Sequence, residues 1–233
     1  MSYPFVSLII PVYNEEQMIQ RCLDSIINQD YPKSLMEIII IDGGSRDRTV
    51  ERIKKIMEKN PKIRFKLLNN PQKLQGYALN IGIKNCSPES KVILRIDAHS
   101  IYPPEYISKC VSTLFEKGVE NVGGVMYPIG ETSFQKAIAF CMQHPLGVGD
   151  SKFHLGNYSG YVDTVYLGCF KRDIFEKVGL FDPKMTPNED AELNLRIIKN
   201  GGRVYLNKDI KVYYYPRNRV IKFILQYLSL IHI

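Results

Sequence analysis

The sequence lacks the paired cysteines that a zinc site or a disulfide framework requires. Its five cysteines are odd in number and widely scattered, and no C-x-x-C pair occurs. Scattered free cysteines are typical of a reducing compartment. We therefore expect the protein to be cytoplasmic.

Long apolar runs are also absent. No window reaches the roughly 18 to 20 apolar residues that cross a bilayer. The first apolar run has no basic region before it and is interrupted at Pro11, which argues against a signal peptide. We expect a soluble chain, and peripheral contact with the cytoplasmic face of the membrane stays open as an alternative.

The composition is that of a globular protein with a basic surface. Of the 233 residues, 45% are hydrophobic and 24% are charged, and the formal net charge is +7. This excess favours anionic partners such as phosphates, nucleic acid or an acidic membrane. Because lysine and arginine are dispersed and not clustered with aromatic residues, we expect no nucleic-acid partner.

The first half of the chain alternates apolar runs with amphipathic patterns. Short strands joined by helices predict an open, mostly parallel α/β sheet flanked by helices. Runs without polar alternation favour strands that are covered on both faces. The predicted strands are residues 6–12, 37–41, 63–68, 91–96 and 121–126, and the predicted helices are residues 15–28, 47–59, 77–85 and 104–117.

The second half is less regular. Residues 143–161 hold four glycines and few aliphatic side chains, which predicts a long mobile loop. Around this loop we predict helices at 133–142, 171–178 and 189–200, and strands at 163–167, 203–206 and 210–215.

Acidic residues follow three of the predicted parallel strands. Glu15 follows the first strand, Asp42 the second and Asp97 the fourth. Ligands of open α/β sheets bind beyond the carboxyl ends of the strands, so these positions predict a binding site. Asp42 stands before Gly-Gly and either binds a ribose or base or forms a turn cap. The G-x-G-x-x-G fingerprint of dinucleotide-binding enzymes does not occur.

Two further groups of residues have both a functional and a structural interpretation. Asp97 and His99 are two positions apart and could share a divalent cation, or Asp97 caps a helix and His99 lies on the surface. Glu189 and Asp190 begin a predicted helix. There they either stabilise the helix by interacting with the positive end of its dipole, or one of them is a general base.

The motifs taken together closely resemble the family 2 glycosyltransferases, which have the GT-A fold. The matching segments occur in a fixed order: PVYNEE at 11–16, IIIIDGGSRDRT at 38–49, QGYALNIGI at 75–83, RIDAHS at 95–100 and NEDAELNLRI at 188–197. The Asp-Ala-His form and the stretch GCFKRDIFEKVGLFD at 168–182 look most like bacterial exopolysaccharide transferases of the succinoglycan type.

The resemblance implies a GT-A domain over residues 1–215, with a Rossmann-like nucleotide-sugar-binding half at about 1–125 and an acceptor half at 126–215. It implies that Asp190 is the catalytic base, that Glu189 contacts the acceptor, and that Asp97 and His99 bind Mn²⁺ or Mg²⁺. The residues that it implies for the nucleotide sugar are Pro11, Tyr13, Glu15, Asp42, Gly76, Arg95 and Asp97.

The implied reaction is an inverting transfer from a nucleoside-diphosphate sugar, UDP-glucose or a similar UDP-sugar, to a polyisoprenyl-linked or other glycan acceptor. The expected context is exopolysaccharide or cell-envelope biosynthesis, and a non-catalytic nucleotide-sugar-binding domain is the alternative. The Q-x-x-R-W motif of processive synthases does not occur, and His99 replaces the second acid of the D-x-D motif. We expect residues 216–233 to form an amphipathic tail that is truncated.

Overall fold

The computed structural model describes residues 3–185 and 188–216. Within them lies one sheet, with strands β1 Phe5–Val12, β2 Met36–Asp42, β3 Arg64–Asn69, β4 Ser90–Arg95, β5 Ser100–Ile101, β6 Asn121–Pro128, β7 Gly160–Tyr161, β8 Tyr166–Lys171 and β9 Val204–Tyr214. The helices are α1 Ile19–Ile27, α2 Thr49–Lys59, α3 Gln75–Lys84, α4 Tyr106–Glu116, α5 Ser133–Cys141, α6 Pro145–Val148, α7 Lys152–Leu155, α8 Ile174–Val178 and α9 Glu189–Lys199.

The sheet confirms the predicted open and mostly parallel architecture. Its strand order is β3-β2-β1-β4-β8-β6-β9-β5, with β7 paired to β9. The parallel pairings extend over five to seven residues each, along β1–β2, β1–β4, β2–β3 and β6–β9. The antiparallel pairings of β8, β5 and β7 involve only two or three residues each.

Apolar side chains on both faces of the central strands hold the helices against the sheet. On β1, Leu8 and Ile10 pack with α1, α2 and α4, whereas Ile9 points to the other face and packs with α3, α8 and α9. Successive side chains of a strand alternate between faces, so a continuous apolar run serves two cores. The carboxyl ends of the central strands are therefore held in place by packing on both faces of the sheet.

The first predicted helix, residues 15–28, begins later than predicted. Asn14 has a positive φ of 55°, and the backbone N–H of Glu15 donates to Thr49 Oγ1 at 2.8 Å. The N–H of Glu16 donates to Asp47 Oδ2 at 3.2 Å. These side-chain acceptors compete with helix formation. They keep the residues after β1 as a loop, and α1 starts only at Ile19.

In the second half of the chain, the observed elements differ more from the predicted ones. Residues 143–161 were predicted to be a mobile loop, but they form α6, α7 and β7. The strand predicted at 163–167 is β8 at Tyr166–Lys171, and the following helix begins at Ile174 instead of residue 171. These elements are stabilised by contacts distant in sequence, such as α7 against β6, which local patterns do not contain.

The strands predicted at 203–206 and 210–215 form a single strand, β9. Its register with β6 shifts from Gly123 opposite Leu206 to Val125 opposite Lys211, so the intervening residues bulge outwards. Polar side chains of the bulge find partners beyond β6: Asn207 Nδ2 donates to Thr113 Oγ1 at 2.9 Å. The gap between the two predicted strands, residues 207–209, coincides with the bulge.

The predicted tail at 216–233 lies outside the described residues, apart from Pro216. Among the helices that are described, none is long and apolar enough to cross a membrane.

Candidate active site

A cleft of about 1090 Å³ opens at the carboxyl ends of β1, β2 and β4. Six of the residues predicted from the sequence line it: Pro11, Tyr13, Glu15, Arg95, Asp97 and His99. A larger groove of about 1280 Å³ lies at the opposite ends of these strands, near Pro4 and Ser90, and contains none of them. The predicted ionisable side chains Glu15, Arg95, Asp97 and His99 lie in the cleft and not in the groove, so the cleft is the candidate site despite its smaller volume.

The position of Asp97 is fixed by two tyrosines. The phenol of Tyr102 accepts from the Asp97 N–H at 2.8 Å and donates to the Asp97 carbonyl at 3.1 Å. The phenol of Tyr166 donates to Asp97 Oδ2 at 3.1 Å. Burial, and then the charge of Asp97, raise the pKa of Tyr166 well above its usual value. Tyr166 is therefore a protonated donor at any physiological pH.

The imidazole of His99 lies between two carboxylates. Its Nδ1 is 3.1 Å from Glu15 Oε1 and 3.3 Å from Asp97 Oδ1. All three side chains are mostly shielded from solvent, with 11 to 20% of each exposed. The loop after β1 and the turn after β4 thus bring together groups that are more than 80 positions apart.

The spacing of Asp97 and His99 fits two neighbouring ligands of a divalent cation. Adjacent ligands of an octahedral ion at 2.0–2.1 Å are about 3.0 Å apart, close to the Nδ1–Oδ1 distance of 3.3 Å. Among the residues that the structure describes, no set of three or more His, Cys, Asp or Glu side chains is arranged to hold a metal. Two protein ligands would leave the other positions to water and phosphate oxygens, the usual arrangement for Mg²⁺.

Four of the predicted residues do not line the cleft: Asp42, Gly76, Glu189 and Asp190. The Asp42 carboxylate accepts from the backbone N–H of Gly44 at 3.1 Å and of Ser45 at 3.1 and 3.2 Å, which is the turn-cap arrangement. Gly76 packs against Pro183, and a Cβ on Gly76 would lie 2.9 Å from the Pro183 Cα. Gly43, adjacent to Asp42, does line the cleft.

Arg95 connects the cleft with the first turn of α9. Its Nη2 donates to Glu189 Oε1 at 3.2 Å, and its Nη1 forms an ion pair with Asp190 Oδ2. With its amide oriented to suit both neighbours, Gln75 accepts from Arg95 Nη2 at 2.7 Å and donates to Glu189 Oε1 at 3.3 Å. Burial raises the pKa of Glu189, although Arg95 opposes this effect.

The two acids of α9 are therefore not equivalent. Glu189 is 1% exposed and internal, whereas 24% of the Asp190 side chain is exposed. Oδ1 of Asp190 is buried and has no hydrogen-bond partner among the described residues. Asp190 is thus the more exposed of the two acids, and both its predicted role as the base and the predicted acceptor contact of Glu189 stay predictions.

Sequence reasoning missed several residues of the cleft, including Asn70, Lys73, Phe153, His154 and Tyr166. Burial lowers the pKa of His154 to about 4, so its imidazole is neutral at pH 7. Lys73 has a positive φ of 64°, uncommon for a residue other than glycine. Only the polar Asn70 and Lys73 directly after β3 carried a usable sequence signal.

A sheet of this topology with a polar cleft at its carboxyl edge defines the GT-A class of glycosyltransferases. The fold matches that of a mannosyltransferase from Pyrobaculum calidifontis in complex with GDP-Man and Mn²⁺, with a TM-score of 0.75 at 22% identity. That match covers 94% of this chain and 59% of the mannosyltransferase chain.

The chain belongs to glycosyl transferase family 2, whose model matches residues 7–179. It is 35% identical over 231 residues to a dolichyl N-acetyl-alpha-D-glucosaminyl phosphate 3-beta-D-2,3-diacetamido-2,3-dideoxy-beta-D-glucuronosyltransferase of Methanococcus voltae, covering 97% of this chain and 71% of the relative. It is 31% identical over 220 residues to the succinoglycan biosynthesis protein ExoA of Rhizobium meliloti, covering 94% and 66%. The chain thus spans about two thirds of the length of these relatives.

Proposed function

We propose that the chain transfers one sugar from a nucleoside-diphosphate sugar to a hydroxyl of a polyisoprenyl-linked or other glycan acceptor, with inversion at the anomeric carbon. One observation carries the proposal: the cleft that holds Asp97 and His99 is joined through Arg95 to Asp190. A metal–diphosphate site and a carboxylate base are the two parts that such a displacement requires.

The donor side of the cleft consists of Pro11, Tyr13 and Glu15 for the base and ribose, and of Asp97 and His99 for a divalent cation. Mn²⁺ or Mg²⁺ bound there would neutralise charge on the leaving diphosphate. In support, the mannosyltransferase of similar fold was crystallised with GDP-Man and Mn²⁺. We expect a UDP-sugar, with UDP-glucose as the first candidate.

Asp190 acts as the general base. Arg95 contacts its Oδ2, and Oδ1 has no hydrogen-bond partner among the described residues. In the transfer the proton of the acceptor hydroxyl passes to Asp190, and the acceptor oxygen bonds to the anomeric carbon. The bond between that carbon and the diphosphate oxygen breaks, and the nucleoside diphosphate leaves with its electron pair.

Substitution of Asp190 tests this function. Asp190→Asn should lower transfer by about 10²–10⁴-fold, the contribution of a positioned general base, and leave donor affinity unchanged. The matched control is Asp173→Asn, which removes an exposed acid on the other side of the protein from the cleft. Nucleotide release and calorimetric donor binding give the two readouts. Near wild-type transfer by Asp190→Asn would exclude the base assignment, and donor binding without release by the wild type would support the non-catalytic alternative.

An exposed apolar rim beside the cleft supports a lipid-linked acceptor. Phe140 is 68% and Leu146 is 94% exposed. They form one patch, since Phe140 stacks on His144, whose Nδ1 accepts from the Leu146 N–H. The same two helices line the cleft with Ile138 and Val148. The name of the Methanococcus relative specifies a dolichyl-linked substrate.

The rim also fits contact with the cytoplasmic face of a membrane. Phe140→Ser combined with Leu146→Ser should reduce co-sedimentation with anionic vesicles that contain a polyisoprenyl phosphate. The matched control replaces Phe115 and Leu195, which are 47% and 50% exposed elsewhere, with Ser. Equal binding by both double variants would remove the rim as the lipid contact.

A further inference from the structure

Arg95 is the residue through which β4, the strand that leads to Asp97, contacts α9. We propose that Arg95 is a positioning residue that holds the carboxylate of Asp190 in place for the transfer, and that Glu189 and Gln75 hold Arg95. This inference rests on the proposed function, in which Asp190 is the base. The family resemblance implied a different role for Arg95, in binding the nucleotide sugar.

The contacts of Arg95 leave its guanidinium little freedom. Arg95 is 9% exposed. Its Nη2 donates to Glu189 Oε1 at 3.2 Å and, with the Gln75 amide suitably oriented, to the Gln75 oxygen at 2.7 Å. Its Nη1 is then directed to Asp190 Oδ2. Nε and Nη1 have no hydrogen-bond partner among the described residues, so Arg95 contacts Asp190 through the ion pair of Nη1 alone. A planar guanidinium placed between two carboxylates orients them in a way that a lysine ammonium cannot.

The charges around Asp190 also require a cation at this position. Glu189, on the same helix, is an acid beside Asp190, and Asp97 adds a third negative charge that acts on Arg95. Neighbouring carboxylates disfavour each other's ionised forms. Among the described residues, Arg95 is the cation that contacts both Glu189 and Asp190, so it holds the two carboxylates side by side.

A positioning role differs from a donor-binding role in what substitution changes. Arg95→Lys keeps the positive charge but loses the planar guanidinium group, and Arg95→Met loses both. If Arg95 acts through Asp190, kcat should fall about 10²-fold, the loss expected from a misplacement of about 1 Å, with donor KM and donor affinity within about twofold of the wild type.

Arg196→Lys is the matched control. Arg196 lies on α9, the helix that carries Asp190, and its guanidinium donates to both carboxylate oxygens of Glu192. Arg196 also donates to the carbonyl of Leu180 at 2.7 Å and does not line the cleft. If each substitution only destabilises the fold, both lysine variants should have a lower melting temperature and wild-type kcat. If Arg95→Met does not fold, as judged by circular dichroism, the fall of kcat in Arg95→Lys decides the question.

Two results would overturn the inference. Folded Arg95 variants with wild-type kcat would show that Asp190 needs no support from Arg95. A loss of donor affinity that accounts for the loss of activity would return Arg95 to the nucleotide-sugar site. Nucleotide release by the wild type in the same assay tests the proposed function separately, and calorimetric donor binding by each variant needs no turnover.

Discussion

At the scale of single residues, Tyr166 determines how Asp97 is presented to the cleft. Its phenol donates to Asp97 Oδ2 and leaves Oδ1 facing His99. Outer-shell donors of this kind orient a metal ligand, and their loss typically costs 10–100-fold in metal affinity. Sequence analysis identified Asp97 but not Tyr166, because 69 positions separate them and only the β4–β8 pairing makes them neighbours.

Tyr166→Phe should therefore weaken Mn²⁺ binding by about 10-fold or more in the presence of a nucleoside diphosphate, without unfolding the protein. Calorimetric titration of Mn²⁺ measures this effect. The control is Tyr31→Phe, which alters a buried phenol that donates to the carbonyl of Pro4, away from the cleft. Unchanged Mn²⁺ affinity in Tyr166→Phe would mean that Asp97 is not a metal ligand.

His154 makes stability depend on pH. Its pKa is lowered to about 4 in the folded protein by burial, whereas an unfolded histidine titrates near 6.5. As pH decreases, the unfolded chain binds the proton at a higher pH than the folded protein does. The free energy of unfolding therefore falls between about pH 6.5 and pH 4, and it is fully present above about pH 6.5. The difference between a pKa of about 6.5 and one of about 4, at about 1.4 kcal/mol for each pKa unit, corresponds to a loss on the order of 3 kcal/mol.

His154→Gln should flatten this dependence, as measured by urea unfolding at pH 7.5 and 5. The exposed His144 gives the control, because His144→Gln should keep the wild-type slope. An unchanged slope in His154→Gln would show that another group causes the acid sensitivity.

At the scale of elements, the bulge of β9 lies over Gly124 of β6. A Cβ at Gly124 would be 2.3 Å from the carbonyl oxygen of Ile210, which is backbone and cannot rotate away. Gly124→Ala should therefore cost about 1–3 kcal/mol, the usual range for overpacking. The urea midpoint measures this cost. In the control Gly43→Ala, the new Cβ meets nothing closer than 3.5 Å, and equal midpoints for the two variants would contradict the close approach.

The elements differ in how well local patterns predict them. The apolar runs of β1 and β2 face cores on both sides, and they were predicted within one or two residues. The helix of residues 15–28 was predicted four residues too early, because Thr49 and Asp47 accept the hydrogen bonds of its first turn. Partners so distant in the sequence leave no mark on its periodicity.

At the scale of the whole molecule, ligand binding should appear as increased stability. A nucleotide sugar at 100 times its Kd stabilises a protein by about 2.7 kcal/mol, which is roughly 5–10 °C for a domain of this size. We expect UDP-sugars with Mn²⁺ to give this shift and GDP-, dTDP- and CDP-sugars to give less, and we expect EDTA to abolish it. Equal shifts for all four bases would exclude selective recognition of uracil.

By itself, the sequence determined the open α/β sheet, the family and the cleft acids Glu15 and Asp97, because strand runs and their terminal residues are local signals. Only the tertiary structure decided which groups surround the predicted acids. It gave Asp97 the support of Tyr166, showed the turn-cap arrangement that the sequence had left open for Asp42, and placed Arg95 against Glu189 and Asp190. Such contacts join strands and helices that are distant in sequence, and they form only when the two cores fix those elements in space.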